Sequence, residues 1–168
     1  TLTFGKAEEP PPGLSRFMVL ALVEEVTEAE RLGGSDQTEF VTDVAPSLTI
    51  RADREQLYRV LSNLTRNARQ AIEATGQPGT IEIGAGEEDG GWWIRVGDTG
   101  PGLPQKTREH LFQAFQTGNR KGGTGLGLAI AAELIRGHGG RLELVRSDEH
   151  GTEFVAHLPR EFALTAQG

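Results

Sequence analysis

The chain has 168 residues, enough for one domain with a sizeable core, and a formal charge of −7. This acidic balance argues against a broad surface for nucleic-acid backbones, so no nucleic-acid partner is expected. Cysteine is absent from the sequence, which excludes disulfides, iron–sulfur clusters and thiol catalysis. No apolar run of about 18 residues or signal-peptide pattern predicts membrane insertion or export.

The first part of the sequence predicts a linker, then a helix and two strands. Residues 8–13 contain three consecutive prolines and are expected to be extended. Residues 17–32 carry apolar side chains at helical spacing and end before two glycines. Short strands are predicted around residues 39–44 and 47–51.

The most regular pattern belongs to a long helix from Arg54 to about Ala74. Asp53 is a natural N-cap for it, and Gly76 ends it. Its predicted buried stripe consists of Leu57, Val60, Leu61, Leu64, Ala68, Ala71 and Ile72. Asn63 and Asn67 are four residues apart, so they share one helix face beside this stripe.

The second half of the chain mixes strands and helices without strict alternation. The predicted elements are hairpin strands at 80–84 and 92–96, a turn of helix at 106–112, a glycine-led helix that ends near Gly137, and strands at 141–145 and 152–158. This mixture favours an α/β sandwich with helices on one face of the sheet.

The glycine-rich segment at residues 122–128 (GGTGLGL) runs directly into the last predicted helix. Glycines let the backbone approach a ligand closely, and the free N–H groups at a helix start favour an anion, so the segment predicts a phosphate cradle. Glycine-rich turns before helices also occur where they serve only the packing of the chain. The lysine of a P-loop and the third glycine of a dinucleotide fingerprint are both missing, so these two motifs are excluded.

Two further motifs carry polar groups suited to a nucleotide. The amide oxygens of Asn63 and Asn67 suit Mg²⁺, although such asparagines also serve as ordinary hydrogen-bonding groups. Asp98 begins the sequence Asp-Thr-Gly-Pro-Gly after a strand, where a carboxylate can accept a hydrogen bond from an exocyclic amine. An Asp-x-Gly sequence is also common in ordinary turns.

The order of these motifs, with an aromatic pair at Phe112 and Phe115, closely resembles the ATP-binding catalytic domain of sensor histidine kinases in the GHKL ATPase group. The resemblance covers residues 17–159, and the motifs correspond to the N, G1, F and G2 boxes of that family. It implies a Bergerat fold, in which a mixed five-stranded sheet carries three helices on one face and a mobile lid covers the nucleotide.

The resemblance also implies a role for each motif in binding ATP and Mg²⁺. Asn67 is the expected magnesium ligand and Asn63 its neighbour in the catalytic site, while Asp98 is expected to bind the adenine amino group. The other expected nucleotide-binding residues are the pocket glycines Gly100 and Gly102, the phosphate-binding segment of Gly123, Thr124, Gly125, Leu126 and Gly127, the lid anchors Phe112 and Phe115, and the polar residues Gln70, Arg120 and Lys121. Gln70 is preferred to Arg69 because it lies on the same helix side as both asparagines.

Membership of this family implies transfer of the γ-phosphoryl group of Mg-ATP to a histidine, in two-component signal transduction. The histidines of this chain are His110, His138, His150 and His157. They lie outside the helical context that the family uses, so ordinary structural roles are expected for them. The acceptor is therefore expected on a dimerisation domain of the same protein, with a response regulator downstream. Hydrolysing relatives have a glutamate where Asn63 stands, so fast intrinsic hydrolysis is not expected.

The expected organisation is a catalytic domain cut from a longer protein. Residues 1–13 are expected to be the end of a dimerisation and phosphotransfer helix with its linker, 14–162 the catalytic domain, and 163–168 a tail. The fragment is expected to be a cytoplasmic monomer, and its parent a homodimer with or without a membrane anchor. Two alternatives stay open: an anti-sigma serine kinase, which the truncated helix and linker disfavour, and a nucleotide-binding regulatory module without catalysis.

Overall fold

The computed structural model describes residues 9–117 and 126–161, and the side chains of residues 9–111 and 127–161. The elements in chain order are β1 Ser15–Met18, α1 Val19–Gly33, β2 Thr38–Asp43, β3 Thr49–Ala52, α2 Arg54–Thr75, β4 Gly79–Glu88, β5 Gly91–Asp98, α3 Gln105–Thr117, α4 Leu126–Gly137, β6 Arg141–Asp148 and β7 Gly151–Pro159.

A five-stranded sheet forms one layer of the fold, in the order β2-β4-β5-β7-β6. The β2–β4 pair is parallel and the other pairs are antiparallel. The helices pack on one face, which confirms the predicted sandwich and the mixed five-stranded sheet. The described part of the chain has four helices rather than three, because α3 extends over 13 residues where a single turn was predicted.

The strand β1 corrects the prediction that a helix begins at Phe17. Ser15–Met18 pairs antiparallel with β3, with Ser15 opposite Ala52 and Met18 opposite Thr49, and α1 begins only at Val19. β1 and β3 form a separate two-stranded sheet. Pairing with a segment more than 30 residues away overrides the local helical pattern here.

Helix α2 is the central helix of the core, and its ends confirm the predicted caps. Asp53 Oδ1 accepts a hydrogen bond from the N–H of Gln56 at 3.0 Å, and Gly76 adopts a left-handed conformation with φ of 73°. The predicted stripe is buried from Leu57 to Ile72, apart from the partly exposed Ala71. Because this stripe packs in the core, the adjoining helix face that carries Asn63 and Asn67 is held in a fixed direction.

The β4–β5 hairpin is longer than predicted. The acidic residues Glu87 and Glu88 belong to β4, and Glu88 is paired with Gly91, so only Asp89 and Gly90 form the turn. Gly90 has φ of 77°, a conformation that glycine adopts without strain. The tight turn extends both strands beyond the segment in which apolar and polar residues alternate.

The proline-containing segment before β1 lies against the start of α2. Arg59 Nη1 donates to Glu9 Oε1 at 2.9 Å, Gln56 Nε2 donates to the carbonyl oxygen of Pro10 at 3.0 Å, and the N–H of Gly13 donates to Asp53 Oδ2 at 2.7 Å. Residues 9–14 have no regular secondary structure, as predicted, but these contacts attach them to the domain.

A buried histidine links the end of α4 to the start of α2. His138 Nδ1 lies 2.9 Å from the carbonyl oxygen of Leu134, so it donates, and Nε2 therefore accepts from the N–H of Asp53 at 3.0 Å. This arrangement requires a neutral ring. Burial lowers the pKa of His138 below its ordinary value of 6.5, although the Leu134 hydrogen bond and the Asp53 charge oppose this effect.

We expect the free energy of unfolding to decrease as the pH falls below about 6.5, because the unfolded chain then binds a proton at His138 before the folded chain does. The decrease ends once the pH has passed the lowered pKa of the folded state. Denaturant unfolding of the wild type and of His138→Gln at a series of pH values isolates this contribution. Parallel pH curves for the two proteins would contradict it.

Candidate functional site

One face of α2 carries the polar side chains that the sequence placed at a phosphate and metal site. Asn63 and Asn67 are partly buried on it, and Gln70 is exposed one turn further along. The start of α4 lies against this face, since a Cβ atom built on Gly127 would be 3.5 Å from Asn63 Oδ1. The structure therefore brings the asparagine motif and the last glycine of the glycine-rich segment together.

Arg69 is directed away from this face, into an ion cluster between α1 and α2. Its Nε lies 2.9 Å from Glu30 Oε1, and its Nη1 lies 3.1 Å from Glu73 Oε1. Glu30 is buried, with 3% of its surface exposed. These carboxylates engage Arg69 between α1 and α2, whereas helical spacing places Gln70 on the side of the two asparagines.

The turn after β5 approaches the same helix face. Gly100 lies so close to α2 that a Cβ built on it would be 3.7 Å from Ala71 Cβ and 3.5 Å from Ile72 Cγ1. Ala71 is one helical turn beyond Asn67, so the Asp98 turn adjoins the asparagine motif. The N–H of Gly100 donates to Asp98 Oδ1 at 2.8 Å, which orients the carboxylate.

The environment of Asp98 suits a partly buried hydrogen-bond acceptor. Burial raises the pKa of Asp98, and the backbone N–H groups of Gly100 and Thr152 together with the charge of Arg146 oppose that rise. A partly buried carboxylate is less screened by water than an exposed one, so it gains from a ligand that donates an N–H group.

Gly102 fixes the far side of this turn against β6. Its φ is 86°, and a Cβ on it would overlap the carbonyl oxygen of Asp148. The turn ends at Leu103, whose N–H donates to Ser147 Oγ at 2.8 Å. Ser147 and Thr152 were not predicted as part of the site, because only strand pairing places Thr152 opposite Asp98 and Ser147 opposite Thr152.

Part of the predicted site lies outside the described residues. These residues are Arg120, Lys121, Gly123, Thr124 and Gly125, together with the side chains of Phe112, Phe115 and Leu126. The backbone of both phenylalanines belongs to α3, and Leu126 is the first residue of α4. Their roles remain predictions from the sequence.

Two of the four histidines have both ring nitrogens engaged by protein groups. His138 bonds Leu134 and Asp53, as described above. His157 Nδ1 lies 2.9 Å from Glu88 Oε2, and its Nε2 lies 2.9 Å from Glu143 Oε1. Ring nitrogens held in this way are structural, in agreement with the predicted role of these two residues.

Sequence comparisons relate the chain to sensor kinases. The family described as "Histidine kinase-, DNA gyrase B-, and HSP90-like ATPase" matches residues 52–161. Nitrogen regulation protein NtrY of Azorhizobium caulinodans is 38% identical over 116 residues, covering 66% of this chain and 15% of NtrY. The sensory histidine kinase/phosphatase NtrB of Klebsiella oxytoca is 37% identical over 133 residues, covering 74% of this chain and 38% of NtrB. The chain thus spans less than half the length of these relatives.

Solved structures show the same fold. The catalytic domain of histidine kinase ThkA has 31% identity and a TM-score of 0.65, over 88% of this chain and 98% of that one. Full-length ShkA in complex with AMPPNP has 30% identity and a TM-score of 0.75, over 95% of this chain and 33% of ShkA. ThkA in complex with the response regulator TrrA has 29% identity and a TM-score of 0.67, over 89% of this chain and 42% of that one.

No helix in the described part of the chain combines the length and apolarity needed to cross a membrane. The family match covers well over half of the sequence, and the ThkA catalytic domain is matched over nearly its whole length. This chain is therefore an ATP-binding catalytic domain of the sensor histidine kinase type and belongs to the family of histidine kinase-, DNA gyrase B- and HSP90-like ATPases.

Proposed function

We propose that this domain binds Mg-ATP between α2, the turn after β5 and the start of α4, and donates the γ-phosphoryl group to a histidine on a dimerisation domain of the same protein. The observation that carries the proposal is the convergence of three motifs on one helix face. Gly127 lies against Asn63, and Gly100 lies against Ala71, one turn beyond Asn67.

Asp98 binds the adenine ring in this proposal. Its carboxylate accepts a hydrogen bond from the exocyclic amino group, while Gly100 and Gly102 shape the pocket beside it. The N–H of Gly100 already occupies Oδ1 at 2.8 Å, so the carboxylate has a defined orientation before the nucleotide arrives. Such preorganisation reduces the entropy lost on binding.

Asn67 holds Mg²⁺ through its amide oxygen, with Asn63 beside it. Both amides are partly buried, and among the described residues no hydrogen bond engages either side chain. A neutral oxygen donor fits an ion that takes most of its other ligands from phosphates and water. When bound, Mg²⁺ neutralises charge on the β- and γ-phosphates.

The phosphates lie at the start of α4, where Gly127 leaves room beside Asn63. The segment of Gly123, Thr124, Gly125, Leu126 and Gly127 supplies backbone N–H groups to them. In this proposal Arg120 and Lys121 meet the γ-phosphate, Gln70 lies on the phosphate side of α2, and Phe112 and Phe115 anchor the lid. A cation at the γ-phosphate stabilises the charge that is redistributed during transfer.

A histidine as the phosphoryl acceptor agrees with the absence of a carboxylate at position 63. A histidine ring is largely neutral and nucleophilic near pH 7, so no strong base is needed for the transfer. Asn63 has no carboxylate with which to activate water, which keeps intrinsic hydrolysis slow. The γ-phosphoryl group is thereby kept for the incoming histidine.

The whole protein acts, in this proposal, as a homodimeric sensor kinase that passes the phosphoryl group to a response regulator. The named relatives NtrY and NtrB and the ThkA–TrrA complex support this. Residues 1–13 belong to the end of the dimerisation helix and its linker, residues 14–162 form the catalytic domain, and 163–168 are a tail. The domain lies in the cytoplasm and is monomeric when isolated.

We expect Asn67→Ala to weaken ATP binding about tenfold in the presence of Mg²⁺, because a metal ligand of the bound complex is lost. Without Mg²⁺ the affinity should be close to that of the wild type. Asn67→Asp retains an oxygen donor and should restore binding in Mg²⁺. Calorimetric titration with ATP, with and without the metal, measures each affinity.

Gln77→Ala is the matched control, since it removes an exposed amide beyond the end of α2. It should bind ATP as the wild type does. An equal loss of affinity for Asn67→Ala with and without Mg²⁺ would argue for a general role of Asn67 in packing. No saturable binding by a folded wild-type chain would contradict the proposed function itself.

A further inference from the structure

The turn that follows β5 is anchored to the β6–β7 hairpin by a pair of hydroxyl groups. The N–H of Leu103 donates to Ser147 Oγ at 2.8 Å. Ser147 Oγ also lies 3.0 Å from Thr152 Oγ1, so one of the two hydroxyls donates to the other. Ser147 belongs to β6 and Thr152 to β7, and these contacts therefore tie the end of the turn to both strands.

Thr152 connects this anchor to the Asp98 carboxylate. It is buried, with 4% of its surface exposed, and it stands directly opposite Asp98 in the pairing of β5 with β7. Its backbone lowers the pKa of the Asp98 carboxyl, which places it near that group. Leu103, Ser147 and Thr152 thus connect the end of the turn to the strand position opposite Asp98.

Helix α3 also contacts Ser147. Arg108 Nη1 donates to the carbonyl oxygen of Ser147 at 3.4 Å, and the N–H of Arg108 donates to the carbonyl oxygen of Pro104 at 3.0 Å. Ser147 is half-buried at this junction. It is therefore the residue at which the turn, the β6–β7 hairpin and α3 are joined.

We propose that Ser147 is a positioning residue for adenine recognition, whose hydroxyl holds the turn between Asp98 and Leu103 in the orientation that Asp98 needs to accept the adenine N–H. The inference rests on the proposed role of Asp98 in binding ATP. Ser147 touches no nucleotide and acts through Leu103 and Thr152. A hydroxyl that only stabilised the fold would leave nucleotide selectivity unchanged.

The ionisation of Asp98 depends on groups from several elements. Burial raises its pKa, while the N–H groups of Gly100 and Thr152 and the charge of Arg146 on β6 lower it. Arg146 Nη1 also donates a hydrogen bond to Asp148 Oδ1 at 3.0 Å, so the charge of Arg146 is shared between the two aspartates.

On the opposite side of the turn, α2 places no charged group at its closest contact with Gly100, because the nearest α2 residues are Ala71 and Ile72. Without the Ser147 hydroxyl, the N–H of Gly100 and the backbone of Thr152 are less firmly held beside the carboxylate. The pKa of Asp98 then rises further, and ATP binding is lost at a higher pH than in the wild type.

The test compares Ser147→Ala and Ser147→Thr with the wild type, by calorimetry with Mg-ATP and Mg-GTP between about pH 5 and pH 8. Ser147→Ala is expected to weaken ATP binding about tenfold, to reduce the preference for ATP over GTP, and to shift the acid limb of the binding profile to higher pH. Ser147→Thr keeps the hydroxyl and is expected to restore all three properties.

Thr27→Ala is the control for stability, because it removes a buried hydroxyl that bonds Glu24 on α1 at 3.2 Å. It should lower the Tm without changing nucleotide selectivity or the pH profile. If Ser147→Ala behaves as Thr27→Ala does, the inference is overturned while the proposed function stands. If the folded wild type binds no ATP, the proposed function falls and this inference with it.

Discussion

Replacement of Asp98 by Asn is expected to weaken ATP binding about 100-fold, the largest effect of any single substitution in the adenine pocket. The substitution keeps the shape of the side chain but exchanges one acceptor oxygen for a donor. The carboxylate already accepts a hydrogen bond from the N–H of Gly100. In the variant an amide N–H must face either this donor or the amino group of adenine, and a partly buried polar pair is left unsatisfied.

The loss should be present with and without Mg²⁺, which distinguishes Asp98→Asn from Asn67→Ala. Asp43→Asn removes the same charge from an exposed position at the end of β2 and should bind ATP normally. A fluorescent adenine nucleotide, displaced by ATP, gives each dissociation constant. Equal affinity of the wild type and Asp98→Asn would remove Asp98 from the site.

Substitution of Gly102 by Ala is expected to reduce both the stability of the domain and its affinity for ATP. A left-handed conformation costs an L residue roughly 1–2 kcal/mol, and the φ of Gly102 is 86°. Its new Cβ would also overlap the carbonyl oxygen of Asp148, so the turn has to move away from β6. That movement displaces Gly100 from its position against α2 and, with it, the Asp98 carboxylate that the Gly100 N–H orients.

Gly90→Ala separates conformational strain from displacement of the turn. Gly90 has a similar φ of 77°, and no other described atom lies within 4 Å of the added Cβ. Its Tm should fall modestly, by about 2–4 °C per kcal/mol of lost stability, with ATP affinity unchanged. Thermal unfolding and ATP titration of both variants test the difference. Equal affinities for Gly102→Ala and the wild type would show that the turn tolerates movement.

The elements that were correctly predicted are those whose signals are local. Helix α2 was recognised from its apolar period and from the caps at Asp53 and Gly76, and it begins at Arg54 as expected. The end of the β4–β5 hairpin was misjudged because its acidic residues look like loop residues, whereas the Asp89–Gly90 turn lets them pair.

The features that were missed depend on partners distant in the chain. Strand β1 exists because Ser15–Met18 pairs with β3, and nothing within its four residues indicates this. The same applies to Thr152, which lies opposite Asp98, and to Ser147, which lies opposite Thr152, because both positions depend on the register of β5, β6 and β7. In the site, Asn63, Asp98 and Gly127 were identified as candidates from the order of the motifs. The contacts of Gly100 and Gly127 with α2, however, arise only from the packing of the folded chain.

Transfer of labelled phosphate from γ-labelled ATP to a histidine-containing helical hairpin added to this domain would test histidine kinase activity itself. We expect Mg²⁺-dependent label on the hairpin that is stable to base and labile to acid, and that is lost with Asp98→Asn. Label that appears only as inorganic phosphate, or ATP that is bound without any transfer, would contradict the claim that this domain is the phosphoryl donor of a histidine kinase.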